Sequence, residues 1–154
     1  MKNTTLCYLE KNGEYLMLLR NKKKNDPNSN KYIGVGGKIE EKESPIDCAK
    51  REILEETGLY ADKLCYKALI TFVSNEYETE LMHLFTCKEF HGVQKSCDEG
   101  ELFWIKKEKV PNLPLWEGDK VFLKLMEERN EFFSLKLVYC GERLTEIHLN
   151  GEKL

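Results

Sequence analysis

Glu52, Glu55 and Glu56 stand at i, i+3 and i+4 in a stretch that reads as helix, so their carboxylates project from neighbouring positions on one face. Like charges at that spacing destabilise a helix by roughly 0.2–0.5 kcal/mol per pair unless a cation occupies the gap. Carboxylate oxygens are hard ligands. Mg²⁺ typically takes one or two of them and completes its shell with water and phosphate oxygens, so phosphate chemistry is the expectation. An acidic cluster in isolation reads equally as a solvated face with Lys50 and Arg51 as partners, and the residues around it must decide.

A helix has to carry these acids, and a sheet has to lie behind it. Ser44 suits the N-cap, Pro45 the first helical position, and Ile46, Ala49, Ile53 and Thr57 fall on one face before Gly58 ends the run. Ahead of it, Tyr32 to Gly37 brings three glycines among four residues, which permits close approach of backbone to backbone or to a ligand. Thr4–Glu10 and Tyr15–Arg20 read as strands joined at Lys11-Asn12-Gly13. Asn21 to Lys31 has no large apolar residue and reads as a mobile, exposed loop flanking the site.

Farther on, Leu64–Ser74, Tyr77–Cys87 and Glu101–Lys106 read as strands and Asp119–Arg129 as a helix. Phe133–Val138 and Arg143–Leu149 are expected to form two more strands around a turn at Cys140-Gly141-Glu142. Strands surrounding two separated helices indicate an α+β or α/β/α sandwich, with the strand order left open.

Gly37 to Leu59 reads GKIEEKESPIDCAKREILEETGL. It resembles the Nudix box: Gly, five residues, Glu, seven residues, then Arg-Glu-aliphatic-x-Glu-Glu-x-Gly-aliphatic. Every specified position matches, a coincidence with a chance on the order of 10⁻⁸ to 10⁻⁷ in a chain this long. The resemblance implies a mixed central sheet in an α/β/α sandwich spanning residues 1–154 as one domain, and an enzyme that cleaves a diphosphate linkage with Mg²⁺, or Mn²⁺ in its place. It further implies that Glu52, Glu55, Glu56 and the carbonyl of Gly37 ligate metal. Glu43, Arg51 and Gly58 match the structural positions of the motif, the first two as an ion pair locking loop to helix. Glu55, Glu52 or Glu99 is the expected base, Glu99 in Ser96-Cys97-Asp98-Glu99-Gly100 also resembling the loop acid that family members direct at the metal. Lys38 is placed to meet substrate phosphate as a point charge.

Beyond the box the likeness is greatest to the MutT/MutX-like branch associated with 8-oxo-dGTP diphosphatase activity. Lys31 to Lys38 resembles its glycine-rich entry, and Leu115-Trp116-Glu117-Gly118-Asp119 resembles its purine-recognition segment. Trp116 offers a flat face for base stacking, and the Asp119 carboxyl offers hydrogen bonds to a purine edge. Mammalian members carry Asn just before the first glycine, where this chain has Ile33. The leading expectation is a pool-sanitising pyrophosphohydrolase converting a purine nucleoside triphosphate to monophosphate and diphosphate. A hydrolase of nucleoside-diphosphate sugars, ADP-ribose or dinucleoside polyphosphates stays open, as does a non-catalytic nucleotide sensor.

Length and composition bound these readings. The chain has 154 residues, 41% hydrophobic and 33% charged, as an ordinary globular protein does. A net charge of −3 argues against long nucleic acid and leaves small phosphorylated ligands. Six cysteines include no CxxC pair, so reduced thiols are expected rather than a zinc site. No leader-like or membrane-spanning run appears, which makes the cytoplasm the expected compartment and a monomer or homodimer the expected form.

Overall fold

The computed structural model describes residues 1–154. Strand β1 (Lys2–Lys11) turns through Asn12 and Gly13, at φ of 53° and 75°, into its antiparallel neighbour β2 (Glu14–Leu19). The expected hairpin is present, built on the two positive φ angles that such a turn demands. The short β3 (Tyr32–Ile33) and, from far along the chain, β6 (Glu101–Lys106) both pair with β2.

Next come helix α1 (Pro45–Thr57), β4 (Leu59–Ser74) and β5 (Glu80–Gly92), then a 3₁₀ turn (Lys107–Asn112), helix α2 (Glu117–Glu128), β7 (Phe133–Cys140), β8 (Arg143–Leu149) and β9 (Glu152–Lys153). The sheet runs β3-β2-β1-β5-β4-β7-β8-β9, with β6 beside β2. It is mixed, since β1/β5 and β4/β7 are parallel while β4/β5 and β7/β8 are antiparallel.

Period-two alternation on β1 divides the core. Leu6 and Tyr8 pack with Phe122, Leu123 and Met126 of α2, whereas Cys7 and Leu9 pack with Ala49 and Ile53 of α1. The helices therefore cover opposite faces, and the fold is the α+β sandwich anticipated. All six cysteines are free thiols, and Cys7, Cys48, Cys87 and Cys97 are buried. No helix is long and apolar enough to cross a membrane.

Helix α1 starts and stops where its residues require. Ser44 Oγ accepts the Asp47 N–H at 3.1 Å while the Asp47 carboxylate accepts the Ser44 N–H at 2.9 Å, a reciprocal capping box. Gly58 closes the helix at φ 79° with its N–H on the Leu54 carbonyl at 2.9 Å. Ile46 departs from its expected place on the packed face: it lies in the first turn, 44% exposed, and burial begins only at Cys48 and Ala49.

Strand boundaries shift for identifiable reasons. β4 begins at Leu59 rather than Leu64, and its pairing with β5 breaks register three times before Ala68, which blurs the alternation a sequence reading relies on. β5 begins at Glu80 rather than Tyr77, because Ser74 Oγ accepts the N–H groups of Glu76 and Tyr77 and holds them in a turn. Truncating Phe122, fully buried under α2, to alanine is expected to cost about 3–5 kcal/mol in denaturant unfolding. Ile46→Ala is expected to stay within about 0.5 kcal/mol of wild type. Equal losses from the two would contradict this assignment of the packed faces.

Candidate active site

The glycine-rich segment lies along β1. Val35 exchanges both backbone hydrogen bonds with Cys7, at 2.6 and 2.9 Å, and the Thr5 N–H donates to the Gly37 carbonyl at 2.8 Å. Cβ atoms would overlap backbone or carboxylate here: at Gly36 the Thr5 carbonyl oxygen, at Gly37 the Glu52 carboxylate. In extended chain, successive residues turn their N–H and C=O to opposite sides. Residues 35 and 37 face β1, so Gly36 faces α1, where its N–H donates to Glu56 Oε2 at 3.0 Å. The Gly37 carbonyl, expected at a metal, accepts from Thr5 on β1 and also lies 3.6 Å from Cys48 Sγ of α1.

Arg51 ties this segment to the helix. Its Nε and Nη2 grip the Glu43 carboxylate at 2.7 and 2.9 Å, and Nη2 also donates to the Lys38 carbonyl at 3.1 Å. The fork geometry gives the lock its direction, and the guanidinium, helped by the Glu40 N–H, holds the Glu43 carboxyl down at about 2. The Nη1 group reaches Glu52 at 2.8 Å and Glu55 at 3.3 Å.

Glu56 has no such cation. Burial, then the charges of Glu52 and Glu99, push its carboxyl up to about 9, against the lowering pull of the Gly36 N–H. Burial also lifts Glu52 above the usual carboxylate range. Glu99 reaches the cluster from the loop before β6, held by Arg20 Nη1 at 3.1 Å.

One cavity of about 550 Å³ joins these acids to the residues expected to bind a base. Glu52, Glu56 and Glu99 line one part and Trp116 and Asp119 another, with Gly37, Lys38 and Ile33 on its wall. Trp116 Nε1 donates to Asn28 Oδ1 at 2.8 Å, Tyr139 meets the indole edge-on, and the Lys31 ammonium lies 4.5 Å from the ring centroid. Helix α2 starts at Glu117, two residues before the expected Asp119, because the Tyr139 hydroxyl oxygen accepts the Gly118 N–H at 2.7 Å where no side-chain cap is present. Asp119 therefore lies inside the first turn of the helix. It is turned inward and buried, and desolvation, then the Glu80 charge, push its carboxyl up to about 8. Glu55 alone of the three helix acids stays outside the cavity, exposed and paired with Arg51.

The NUDIX domain model matches residues 2–126. The chain belongs to the Nudix family. As a Nudix hydrolase it is an enzyme that cleaves phosphoanhydride bonds. It is 33% identical to an oxidized purine nucleoside triphosphate hydrolase of Danio rerio over 135 residues, covering 85% of this chain and 83% of that one. The protein of that name from Mus musculus is 33% identical over 114 residues, 71% of each chain. The crystal structure of a mutator MutT protein from Bacillus halodurans superposes with a TM-score of 0.86 at 26% identity, covering 99% of both chains.

Members of this family use divalent cations, and the donor set of this Nudix hydrolase suits one. It is all oxygen, and its buried carboxylates raise one another's pKa, the repulsion a divalent ion removes. As they stand, no three acidic side chains converge on one point, because Glu52 and Glu55 lean on Arg51. Three residues of the site carried no signal in the sequence: Arg20, Asn28 and Tyr139, whose roles come from partners distant along the chain.

Asp119 also gives the Nudix hydrolase a stability signature. Between its usual value of 3.8 and about 8, the folded chain keeps a proton that the unfolded chain releases, so stability falls as pH rises through that window. Asp119→Asn is expected to flatten the fall between pH 5 and pH 8 in urea unfolding. Equal slopes for variant and wild type would contradict the buried, neutral carboxyl.

Proposed function

We propose that this chain is a Mg²⁺-dependent nucleoside triphosphate pyrophosphohydrolase that sanitises the nucleotide pool, converting 8-oxo-dGTP or a related purine nucleoside triphosphate to the monophosphate and diphosphate. The observation that carries this reading is the single cavity with an acidic cluster at one part and an aromatic-acid pair at another. The two relatives named for oxidized purine nucleoside triphosphates support the substrate class.

Glu52, Glu56 and Glu99 would hold the metal with a backbone carbonyl of the Gly36-Gly37 segment, and Glu55 would join them on leaving Arg51. Mg²⁺ held by these residues would supply charge neutralisation to the diphosphate and activation of the attacking water. Lys38 lines the cavity and pairs with no carboxylate, which suits it to a phosphate oxygen. A carboxylate of the cluster, Glu52, Glu55 or Glu99, takes the proton of the attacking water.

Base recognition falls to Trp116 and Asp119. The indole provides a stacking surface, already braced by Asn28. A carboxyl neutral up to about pH 8 both donates and accepts, so it can pair with a purine edge that presents an acceptor beside a donor. Ile33 lines the cavity where an amide stands in mammalian relatives, which leaves edge reading to Asp119.

Steady-state kinetics on a nucleotide panel in Mg²⁺ test the reading. We expect release of diphosphate, higher kcat/KM for 8-oxo-dGTP than for dGTP, and a loss of at least about 100-fold in Glu52→Gln. Equal hydrolysis of the oxidised and normal triphosphates would remove the oxidised-base assignment. Release of a sugar phosphate or a second nucleotide from other substrates, with triphosphates inert, would remove the triphosphate assignment.

A further inference from the structure

We propose that Arg20 is a positioning residue that couples the base-stacking Trp116 to the acid Glu99 through the loop of residues 21–31. The inference rests on the roles proposed above for those two residues. Read in isolation, the loop is polar and expected to be mobile. In the structure it is a wall of the cavity, with Arg20, Lys23, Pro27 and Asn28 lining it.

Its order comes from one unbroken chain of contacts. Glu99 Oε2 accepts from Arg20 Nη1 at 3.1 Å, and the same guanidinium donates from Nε to Asp26 Oδ2 at 2.7 Å. The other oxygen of Asp26 accepts the Asn28 N–H at 3.0 Å, an Asx turn that fixes the backbone from which the Asn28 side chain projects. Asn28 Oδ1 then accepts the Trp116 indole N–H at 2.8 Å.

The central pair is well enclosed, with side-chain exposures of 12% for Arg20 and 4% for Asp26. A guanidinium so placed is held by geometry as well as charge, because its separate N–H groups point at two acids at once. Backbone bonds close the loop on the same residue: the Arg20 N–H donates to the Lys31 carbonyl and the Asn30 N–H to the Arg20 carbonyl, at 3.0 and 2.7 Å. A lysine cannot span both acids from one nitrogen with the same fixed directions. The relay thus makes the indole's setting depend on Glu99 remaining in place, and the reverse.

The chain carries its own control, since its other tryptophan, Trp104, bonds through its indole N–H to Gln94 and lies outside the relay. Two-dimensional ¹H–¹⁵N spectra of wild type, Arg20→Lys, Asp26→Asn and Asn28→Ala are to be recorded beside kinetics on a purine nucleoside triphosphate with Mg²⁺. In all three variants the Trp116 indole peak is expected to move while the Trp104 peak holds. Asn28→Ala should raise KM about 5-fold with kcat within about twofold, the size of one lost hydrogen bond. Arg20→Lys should also lower kcat, by about tenfold, as loss of support to a reacting acid does.

A Trp116 peak that stays in place in Arg20→Lys and Asp26→Asn would overturn the relay. So would kinetic effects of Asn28→Ala and Asp26→Asn that multiply in the double variant instead of overlapping. If Arg20→Lys does not fold, the Arg20 Nε–H resonance in Asn28→Ala decides: it shifts if the relay exists and holds if it does not. A wild-type chain inert toward every triphosphate overturns the proposed function alone, because the spectral test needs no turnover.

Discussion

Glu56 is carried into the interior by a helix that cannot leave it outside, and the one donor that meets its carboxyl is the N–H of Gly36. Its two acidic neighbours each have an arginine, Glu52 on Arg51 and Glu99 on Arg20. Ionising Glu56 would therefore leave the cluster with more negative charge than its guanidinium partners balance, in surroundings that resist charge, and its carboxyl keeps its proton up to about 9. A divalent cation answers that deficit, and a diphosphate arriving with its own charge needs the same cation. The rest of the site is arranged around this shortage.

The glycines make the shortage possible. Because a Cβ at Gly36 would strike the Thr5 carbonyl, only glycine lets the segment lie on β1 and present its N–H to the helix. Arg51 then fixes the segment from the far side through Glu43 and the Lys38 carbonyl. Ion pairs in contact with solvent contribute little stability. Their value lies in the angle they impose on the acids of α1. Arg20 does the corresponding work for Glu99 and, through Asp26 and Asn28, for the opposite part of the cavity.

Much of this was legible in the residues alone. Ser44, Pro45 and Gly58 mark the ends of α1 by local rules, Asn12-Gly13 marks the hairpin, and the spacing of Glu52, Glu55 and Glu56 announces the acidic face. What stayed hidden depends on partners far along the chain. That Thr5 of β1 meets the Gly37 carbonyl is decided by register between distant segments, which the residue type does not reveal. Asp119 reads as the first residue of the helix, but the Tyr139 hydroxyl meets the Gly118 N–H and α2 starts two residues earlier. The loop of residues 21–31 looks unstructured because its anchors, Glu99 and Trp116, belong to other elements. The register breaks in β4 hide its first residues in the same way.

The proposed function has clustered carboxylates gather a divalent ion beside a scissile phosphoanhydride. Its most direct test is triphosphate turnover after exhaustive chelation and removal of the chelator, followed by stepwise return of Mg²⁺. No turnover is expected in the metal-free protein, with restoration along a saturable Mg²⁺ curve. Full turnover without any divalent ion would contradict it.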